Sequence, residues 1–350
     1  MAYTTIADPE LYFQTELYTG TGSALSRTFD GTNDMQPDLI WIATRSTTEN
    51  QPIYDSVRGT GKSLHSNDTD AEADEEGVSA FGSDGFSLGD HGGANQSSAT
   101  HVAWCWKAGT TSGIAGSPSI TPSSYSFNAT PGFSIIAYTG NSTAGATLPH
   151  GLGVAPKMIF GKKVNGTDGW GVFHASMDAT APEDYNLFLN TAAARADSPM
   201  WNDTPPTSTL FSLGSGGDIN SSSNTYIAYC FADVQGYSKF GGFTGNGNVD
   251  GTFVYLGFRP AFVMIKCATR SGTDIWTMYD NKRGQNVISN ALSADTNAAE
   301  RSSADIDFLS NGFKTRIATT DVNPSGETAI YMAFAEAPFC NSNGVPCNAR

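Results

Sequence analysis

A seven-residue stretch, Thr225-Tyr226-Ile227-Ala228-Tyr229-Cys230-Phe231, has the alternation and the β-branched and aromatic content of a strand. It aligns without gaps with two others, Thr100-His101-Val102-Ala103-Trp104-Cys105-Trp106 and Thr328-Ala329-Ile330-Tyr331-Met332-Ala333-Phe334. The alternation predicts a half-buried antiparallel strand in each case. The chain therefore contains three copies of one unit, and each copy closes on this strand.

The start of each copy is marked by a second signature, which reads Tyr18-Thr19-Gly20, Tyr138-Thr139-Gly140 and Phe243-Thr244-Gly245. Later in each copy a proline opens an apolar strand, at Pro37, Pro156 and Pro260. The copies begin roughly 100 residues or more apart, which is the size of a domain rather than of a solenoid turn. We therefore expect three beads, each with its own core.

The composition favours an all-β chain. Of 350 residues, 38 are glycine, 15% are charged and 11% are aromatic, and Ser, Thr, Asn and Gly dominate the connecting stretches. About seven or eight short strands in about 100 residues are typical of an antiparallel β-sandwich. We predict three tandem sandwiches that are jelly-roll-like, with an immunoglobulin-like topology as the alternative.

The copies and their connections divide the chain into six segments. These are an N-terminal docking arm (1–15), repeat 1 (16–109), a Ser/Thr/Pro linker (110–131), repeat 2 (132–236), repeat 3 (237–339) and a tail (340–350). Leu11, Tyr12 and Phe13 give the arm enough apolar surface to dock on a neighbouring subunit. Since almost no linker separates repeats 2 and 3, we expect these two to pack closely and repeat 1 to be more independent.

The formal net charge of −15 argues against nucleic acid and anionic membranes as partners, because both attract a positive field. Residues 1–20 lack the basic start and apolar core of a signal peptide, and no apolar run approaches the roughly 20 residues of a membrane span. We therefore expect assembly in a cytoplasm without membrane insertion. Cys105 and Cys230 are interpreted as small buried strand residues, and Cys340 and Cys347 as a free pair rather than a disulfide.

One recurring motif contains an acidic and a basic side chain. Asp55-Ser56-Val57-Arg58-Gly59 returns as Asp280-Asn281-Lys282-Arg283-Gly284, each directly after a tyrosine. An adjacent Asp and Arg bind a sugar or a carboxylate, but the same residues also build a turn in which Asp caps amides and pairs with Arg. Repeat 2 has Phe173-His174-Ala175-Ser176 at this place, so the turn is the favoured interpretation.

Aromatic pairs precede this motif. Trp170 stands three residues before Phe173, and Trp276 three before Tyr279. Exposed, they would stack on sugar rings; buried, they would belong to the core, which is the favoured interpretation. The candidate ligand-binding residues are Asp55, Arg58, Trp170, Trp276, Tyr279, Asp280 and Arg283.

No pattern of residues predicts catalysis, a metal or a cofactor. The acidic run 67–77 fails the calcium-loop pattern, since Ala73 and Ser79 stand where glycine and glutamate are required. The histidines lack zinc spacing, and no phosphate loop or dinucleotide fingerprint is present. We therefore expect a protein that is not an enzyme.

Three stretches resemble a family of repeat-containing virion proteins from bacteriophages of marine and aquatic bacteria. They run from Phe29-Asp30-Gly31-Thr32 to Ile42, from Pro131-Gly132-Phe133 to Asn141, and from Leu148-Pro149-His150-Gly151 to Ile159. Members of that family are described as structural or tail-fibre-like proteins. The resemblance implies a particle component made in the infected cell, and it implies no site residues.

These observations lead to one expected function and two alternatives. The first expectation is a virion surface appendage, a tail or head fibre, that is homotrimeric, contacts other virion proteins and attaches to a host-surface glycan. The main alternative is a capsid decoration protein that bridges capsid subunits. The third is a glycan depolymerase, which requires two carboxylates roughly 5–10 Å apart in a groove.

Overall fold

The computed structural model describes residues 3–270, 272, 274–284 and 288–338. This part of the chain is 43% strand and 5% helix, and all of its sheets are antiparallel. The predicted all-β fold is therefore confirmed. Cys340, Cys347 and the tail lie outside the described residues.

Repeat 1 consists of a large sheet, a small sheet and one helical turn. Its elements are β1 (Phe13–Thr19), β2 (Leu25–Arg27), β3 (Leu39–Thr44), β4 (Pro52–Asp55), β5 (Lys62–His65), β6 (Ala73–Asp74), β7 (Val78–Gly82), β8 (Gly85–Leu88), α1 (Gly92–Asn95) and β9 (Thr100–Trp106). The large sheet has the order β1-β9-β3-β4-β5-β6, and the small one β2-β8-β7.

Repeat 2 follows the same plan, with one strand added to the large sheet and one strand fewer in the small sheet. Its elements are β10 (Ser124–Asn128), β11 (Phe133–Thr139), β12 (Ala146–Pro149), β13 (Met158–Lys163), β14 (Gly171–His174), β15 (Tyr185–Phe188), β16 (Ala196–Asp197), β17 (Leu210–Leu213), α2 (Gly217–Asn220) and β18 (Thr225–Phe231). The orders are β10-β11-β18-β13-β14-β15-β16 and β12-β17. The added strand β10 lies within the predicted linker, where Tyr125 pairs with Ile136, so part of that segment belongs to the sheet.

Repeat 3 joins its two layers into one sheet. Its elements are β19 (Ser238–Thr244), β20 (Phe253–Tyr255), β21 (Phe258–Cys267), β22 (Thr277–Asp280), β23 (Ile288–Ser293), β24 (Arg301–Leu309), β25 (Gly312–Thr315) and β26 (Thr328–Pro338). The order is β19-β26-β21-β22-β23-β24-β25-β20. Three short 3-10 turns complete the described structure, at Pro9–Leu11, Pro182–Asp184 and Pro199–Trp201.

In repeats 1 and 3 the outer face of the large sheet packs in a separate cluster within its own repeat. In repeat 1, Ile40 and Ile42 of β3 pack with Val78 and Phe86 of the small sheet. Repeat 3 has the corresponding cluster around Val263 and Ile265. These outer clusters are the part of the structure that matches the expected beads.

The inner faces share one core, so the prediction of three separate cores is wrong. Trp104, Phe231 and Phe334, one from each repeat, belong to a single cluster of buried residues. The closing strands are buried on both faces rather than half-buried, as β18 shows from Tyr226 to Phe231. The residues on both faces of these strands are mostly apolar, because each face packs against another layer.

Three rings mark the centre of this shared core. Trp106, Phe231 and Phe334 occupy the same position in the three closing strands, and each contacts the other two. The centroid distances are 6.3 Å from Trp106 to Phe231, 6.1 Å from Phe231 to Phe334, and 5.6 Å from Trp106 to Phe334. The repeats therefore close into a ring around an approximate threefold axis, and the expected independence of repeat 1 is wrong.

The N-terminal arm folds onto the same chain. Phe13 already belongs to β1, and its ring stacks on Phe334 of repeat 3 at 5.2 Å. Tyr12 lies 6.1 Å from the Tyr237 ring, and Leu11 is half-buried at the end of the first 3-10 turn. The apolar side chains expected to dock on a neighbouring subunit thus join repeats 1 and 3 of one chain.

Candidate functional site

The first Asp–Arg motif lies at the boundary between repeats 1 and 2. Asp55 accepts a hydrogen bond from Arg58 Nε at 2.5 Å and another from the Tyr229 hydroxyl of repeat 2 at 2.7 Å. Burial lowers the pKa of Arg58, but the charge of Asp55 outweighs it and holds that pKa above its ordinary value. The motif is a buried ion pair that receives a donor from the next repeat.

The second motif repeats this arrangement between repeats 3 and 1. Asp280 pairs with Arg283 at 2.6 Å and accepts the indole N–H of Trp104 at 3.0 Å. Trp104 occupies in repeat 1 the position that Tyr229 occupies in repeat 2. The Arg283 guanidinium also lies 5.4 Å from the Trp104 ring, where the cation stabilises the contact further.

The missing motif of repeat 2 has a physical reason in repeat 3. The residue equivalent to Trp104 and Tyr229 is Met332, which has no N–H or O–H to donate. A buried carboxylate there would lack this partner, and the chain places His174 instead. Its Nε2–H donates to the Tyr331 carbonyl at 3.1 Å, and its Nδ1 accepts the amide of Ser176 at 3.1 Å. Burial lowers the pKa of His174 to about 4, so the ring is neutral at neutral pH.

The candidate tryptophans form a second set of equivalent contacts. Trp170 donates its indole N–H to the His65 carbonyl at 2.8 Å, and Trp276 donates to the Phe188 carbonyl at 3.0 Å. In repeat 1 the same position is Gln51, whose amide donates to the Ser293 carbonyl at 2.6 Å. Each acceptor is the last residue of the equivalent strand in another repeat, β5, β15 or β23.

A third set of contacts uses the backbone alone. The amides of Glu72, Arg195 and Glu300 donate to carbonyls of another repeat, each at 2.8 Å, and the acceptors are Val164, Ala268 and Arg45. Three equal distances at three equivalent positions confirm that the interfaces are alike. Head-to-tail contacts of this kind close a ring when the rotation is one third of a turn.

Six of the seven candidate ligand-binding residues are thus buried, and the side chain of the seventh, Arg58, is only 5% exposed. Six of the seven bind across or beside the boundaries between repeats, and Tyr279 donates its hydroxyl to Asp305 at 2.6 Å inside repeat 3. Burial raises the pKa of Tyr279 well above its ordinary value. Their position matches the turn and core interpretations, and none of them offers a ring face to solvent.

The opening Tyr-Thr-Gly signature builds an exposed loop at the far end of each closing strand. Its glycine approaches a carbonyl closely, since a Cβ on Gly20, Gly140 or Gly245 would lie 2.2–2.4 Å from the oxygen of Gln96, Ser221 or Pro324. The tyrosine hydroxyls of Tyr18 and Tyr138 donate to carbonyls of α1 and α2. The signature therefore fixes where one strand ends and the adjoining helical turn begins.

A buried asparagine holds each loop, and the sequence reasoning missed it. Asn95, Asn220 and Asn323 accept the amide after the signature glycine at 2.8, 2.9 and 2.9 Å. Each also donates its side-chain amide to loop carbonyls. The available signal was a fixed spacing, because every one of them stands five residues before the closing strand.

The loops so held are exposed and conformationally fixed. Gly22, Ser142 and Gly247 have φ of 66°, 56° and 62° at equivalent places. The loop that precedes each closing strand repeats the pattern, with φ of 64°, 66° and 76° at Ser98, Ser223 and Gly326. Each repeat therefore presents two small polar loops in the same conformation, and a strand of seven residues, about 20 Å, separates them from the axis.

The acidic run of repeat 1 is bound to basic side chains. Glu75 lies 3.4 Å from His65 Nε2 and 3.2 Å from His91 Nε2, and Glu72 pairs with Arg58. The interaction with the His65 imidazole lowers the pKa of Glu75 to about 2. Within the described ranges no group of three or more His, Cys, Asp or Glu side chains is placed to hold a metal ion. Cys105 and Cys230 are buried strand residues, as predicted.

Fold and contacts together define a class of protein: an all-β, β-sandwich-like chain whose antiparallel sheets pack around one shared aromatic core. A family model described as a domain of unknown function (DUF7483) matches residues 8–338, and the chain belongs to this family. No curated protein and no solved structure matches the chain. Among the described residues, no helix has the length and apolar character needed to cross a membrane.

Proposed function

We propose that the protein is a non-enzymatic structural component of a bacteriophage particle and that it attaches the particle to the host surface. The sequence resemblance to virion proteins supplies the context. The observation that carries the proposal is the closed ring, which turns one chain into a rigid carrier of three equivalent loop pairs. Three weak contacts on one body bind a repetitive surface far more tightly than one contact does.

The use of the motif residues supports a structural rather than a catalytic role. The Asp–Arg pairs, the tryptophans and His174 form hydrogen bonds that join the repeats. A hydrolytic site needs paired carboxylates that face a substrate groove, whereas Asp55 and Asp280 are both fully buried. The expected homotrimer stays a prediction; one chain already has the threefold arrangement that a trimer would supply.

Capsid decoration is the second candidate, and the approximate threefold axis favours it. A body with this symmetry matches the threefold and local threefold positions of an icosahedral shell, where its three loop pairs would contact three equivalent capsid subunits. In this case the loops bind protein of the particle rather than the host surface.

Particle localisation tests both candidates. Phage particles from a lysate of the host that carries the gene are analysed by mass spectrometry, and the chain is located by cryo-electron microscopy. A few to a few dozen copies on the tail or at one vertex are expected for attachment. Hundreds of copies in the icosahedral lattice would support decoration, and absence from purified particles would refute both.

A competition experiment tests the role of the loops. Purified chain should block adsorption of the phage to host cells, and arginine at Ser97, Ser222 and Ser325, one exposed position in each repeat, should weaken blocking stepwise from single to triple variant. Ser112→Arg, at an exposed position in the linker, is the matched control. Full blocking by the triple variant would exclude the loops as the attachment surface.

A further inference from the structure

One exposed aromatic pair has no part in joining the repeats. Among the described residues the exposed large apolar side chains are Phe253 at 45%, Tyr255 at 51%, Val154 at 52% and Val249 at 66%. Phe253 and Tyr255 stand two apart on β20, so they point to the same face of the strand, while Val254 between them lies in the core. β20 is the last strand of its sheet.

The neighbouring strand leaves the Tyr255 ring uncovered. The cross-strand partner of Tyr255 is Gly312, and a Cβ there would lie 2.0 Å from the Val254 carbonyl oxygen. The backbone geometry therefore keeps this position without a side chain. Phe253 faces Lys314, which is paired with Asp250 at 2.5 Å.

The other side of the ring is fixed by a lysine. Lys239 Nζ donates to the Tyr255 carbonyl at 2.7 Å and lies 5.4 Å from the ring centroid. A cation over an aromatic ring stabilises that ring in one orientation. Tyr255 is thus held in place although half of its surface is exposed to solvent.

A groove starts at this ring. A cavity of about 460 Å³ is lined by Tyr255, Lys239, Gln235, Asp233 and Tyr3 among others. A second cavity of about 680 Å³ shares the last three of these residues and extends to repeat 2. Both volumes lie within the range of about 300–1,000 Å³ that is usual for ligand sites.

The equivalent strands of the other repeats do not have this feature. β20 corresponds to β2 and β12, where the residues are Leu25-Ser26-Arg27 and Ala146-Thr147-Leu148-Pro149. The aromatic pair is therefore not part of the repeat plan. Side chains that the fold does not require, exposed at an edge beside a groove, indicate a binding surface.

We propose that Tyr255, Phe253 and the adjoining groove bind a neutral saccharide. The apolar face of a sugar ring packs on an aromatic side chain, and its hydroxyls bond with a carboxylate, an amide and an ammonium group such as those of Asp233, Gln235 and Lys239. The net charge of −15 disfavours acidic polysaccharides and nucleic acids. The inference rests on the proposed attachment function and names its ligand class.

Glycan binding by the full chain tests this site. The probe is an array of neutral oligosaccharides of glucose, galactose, mannose and N-acetylglucosamine, three to six units long, and the best hit is titrated against the chain and its variants. Tyr255→Ala should weaken binding at least tenfold. Tyr255→Phe, which keeps the ring, should stay within about threefold, and Val249→Ala serves as the exposed apolar control.

The outcomes separate this inference from the proposed function. Unchanged affinity of Tyr255→Ala for a bound glycan, or no binding by any member of the array, overturns the saccharide site, whereas particle localisation still decides the attachment role. Tyr255-dependent binding by a chain that is absent from particles supports the site and refutes the proposed function. An unchanged thermal unfolding curve verifies that the Tyr255→Ala protein is folded.

Discussion

Replacement of Phe231, the ring of repeat 2 at the centre of the shared core, tests whether the three repeats unfold as one cooperative unit. Phe231 contacts Trp106, Phe334 and Phe240 of the other repeats, besides two rings of its own. Each aromatic pair contributes about 0.5–1.5 kcal/mol beyond the buried area. Phe231→Leu removes these pairs and leaves a small cavity, so we expect it to lower the free energy of unfolding by about 2–4 kcal/mol.

The decisive quantity is the coupling between repeats. In a double-mutant cycle, Phe231→Leu and Phe334→Leu should deviate from additivity by about 1 kcal/mol, because the second substitution has one ring pair fewer to lose. Phe211→Leu is the matched control, since Phe211 is a buried phenylalanine of repeat 2 on the outer strand β17. With Phe334→Leu it should be additive within about 0.5 kcal/mol.

Urea unfolding followed by tryptophan fluorescence and circular dichroism measures these energies. All six tryptophans are native reporters, three in repeat 1, two in repeat 2 and one in repeat 3. Coincident single transitions are expected for the wild-type chain. The shared core would be refuted if the effects of Phe231→Leu and Phe334→Leu on the free energy of unfolding were additive within about 0.5 kcal/mol, or if three separate transitions were seen.

Three further predictions concern single features. Gly140→Ala would place a Cβ 2.4 Å from the Ser221 carbonyl and should cost about 2 kcal/mol or more in urea unfolding, whereas Gly216→Ala, with open space around it, should change stability by less than about 0.5 kcal/mol. The pKa of His174 falls from 6.5 to about 4 on folding. The contribution of neutral His174 to the free energy of unfolding is therefore complete above pH 6.5 and is lost as the pH falls through 4. In melts from pH 7 to pH 4, His174→Gln, which keeps a donor for the Tyr331 carbonyl, should lose up to about 3 kcal/mol less than wild type; equal loss would contradict this assignment. Deletion of residues 1–13 removes Phe13 from the shared core and should lower the melting temperature by several degrees; an unchanged melting temperature would show that the arm is dispensable.

The all-β class followed from the sequence alone, and the sequence also predicted the threefold repetition. Alternating apolar residues define a strand locally, and three gapless matches of the closing strand reveal the repetition without any structure. The turn role favoured for Asp55–Arg58 also came from local chemistry, since an Asp that caps amides and pairs with a nearby Arg needs no distant partner. The spacing of Asn95, Asn220 and Asn323 was also visible in the sequence, because each stands five residues before a closing strand.

Only the tertiary structure decided how the copies are joined. The second apolar face of the closing strands required a partner, and no local pattern says whether this partner is the same repeat, another repeat or another chain. The structure assigns it to the neighbouring repeats, where Trp106, Phe231 and Phe334 meet. The same arrangement explains why Asp280 faces Trp104 and why His174 replaces an aspartate opposite Met332. These pairs lie more than 150 residues apart in the chain, and only folding brings them into contact.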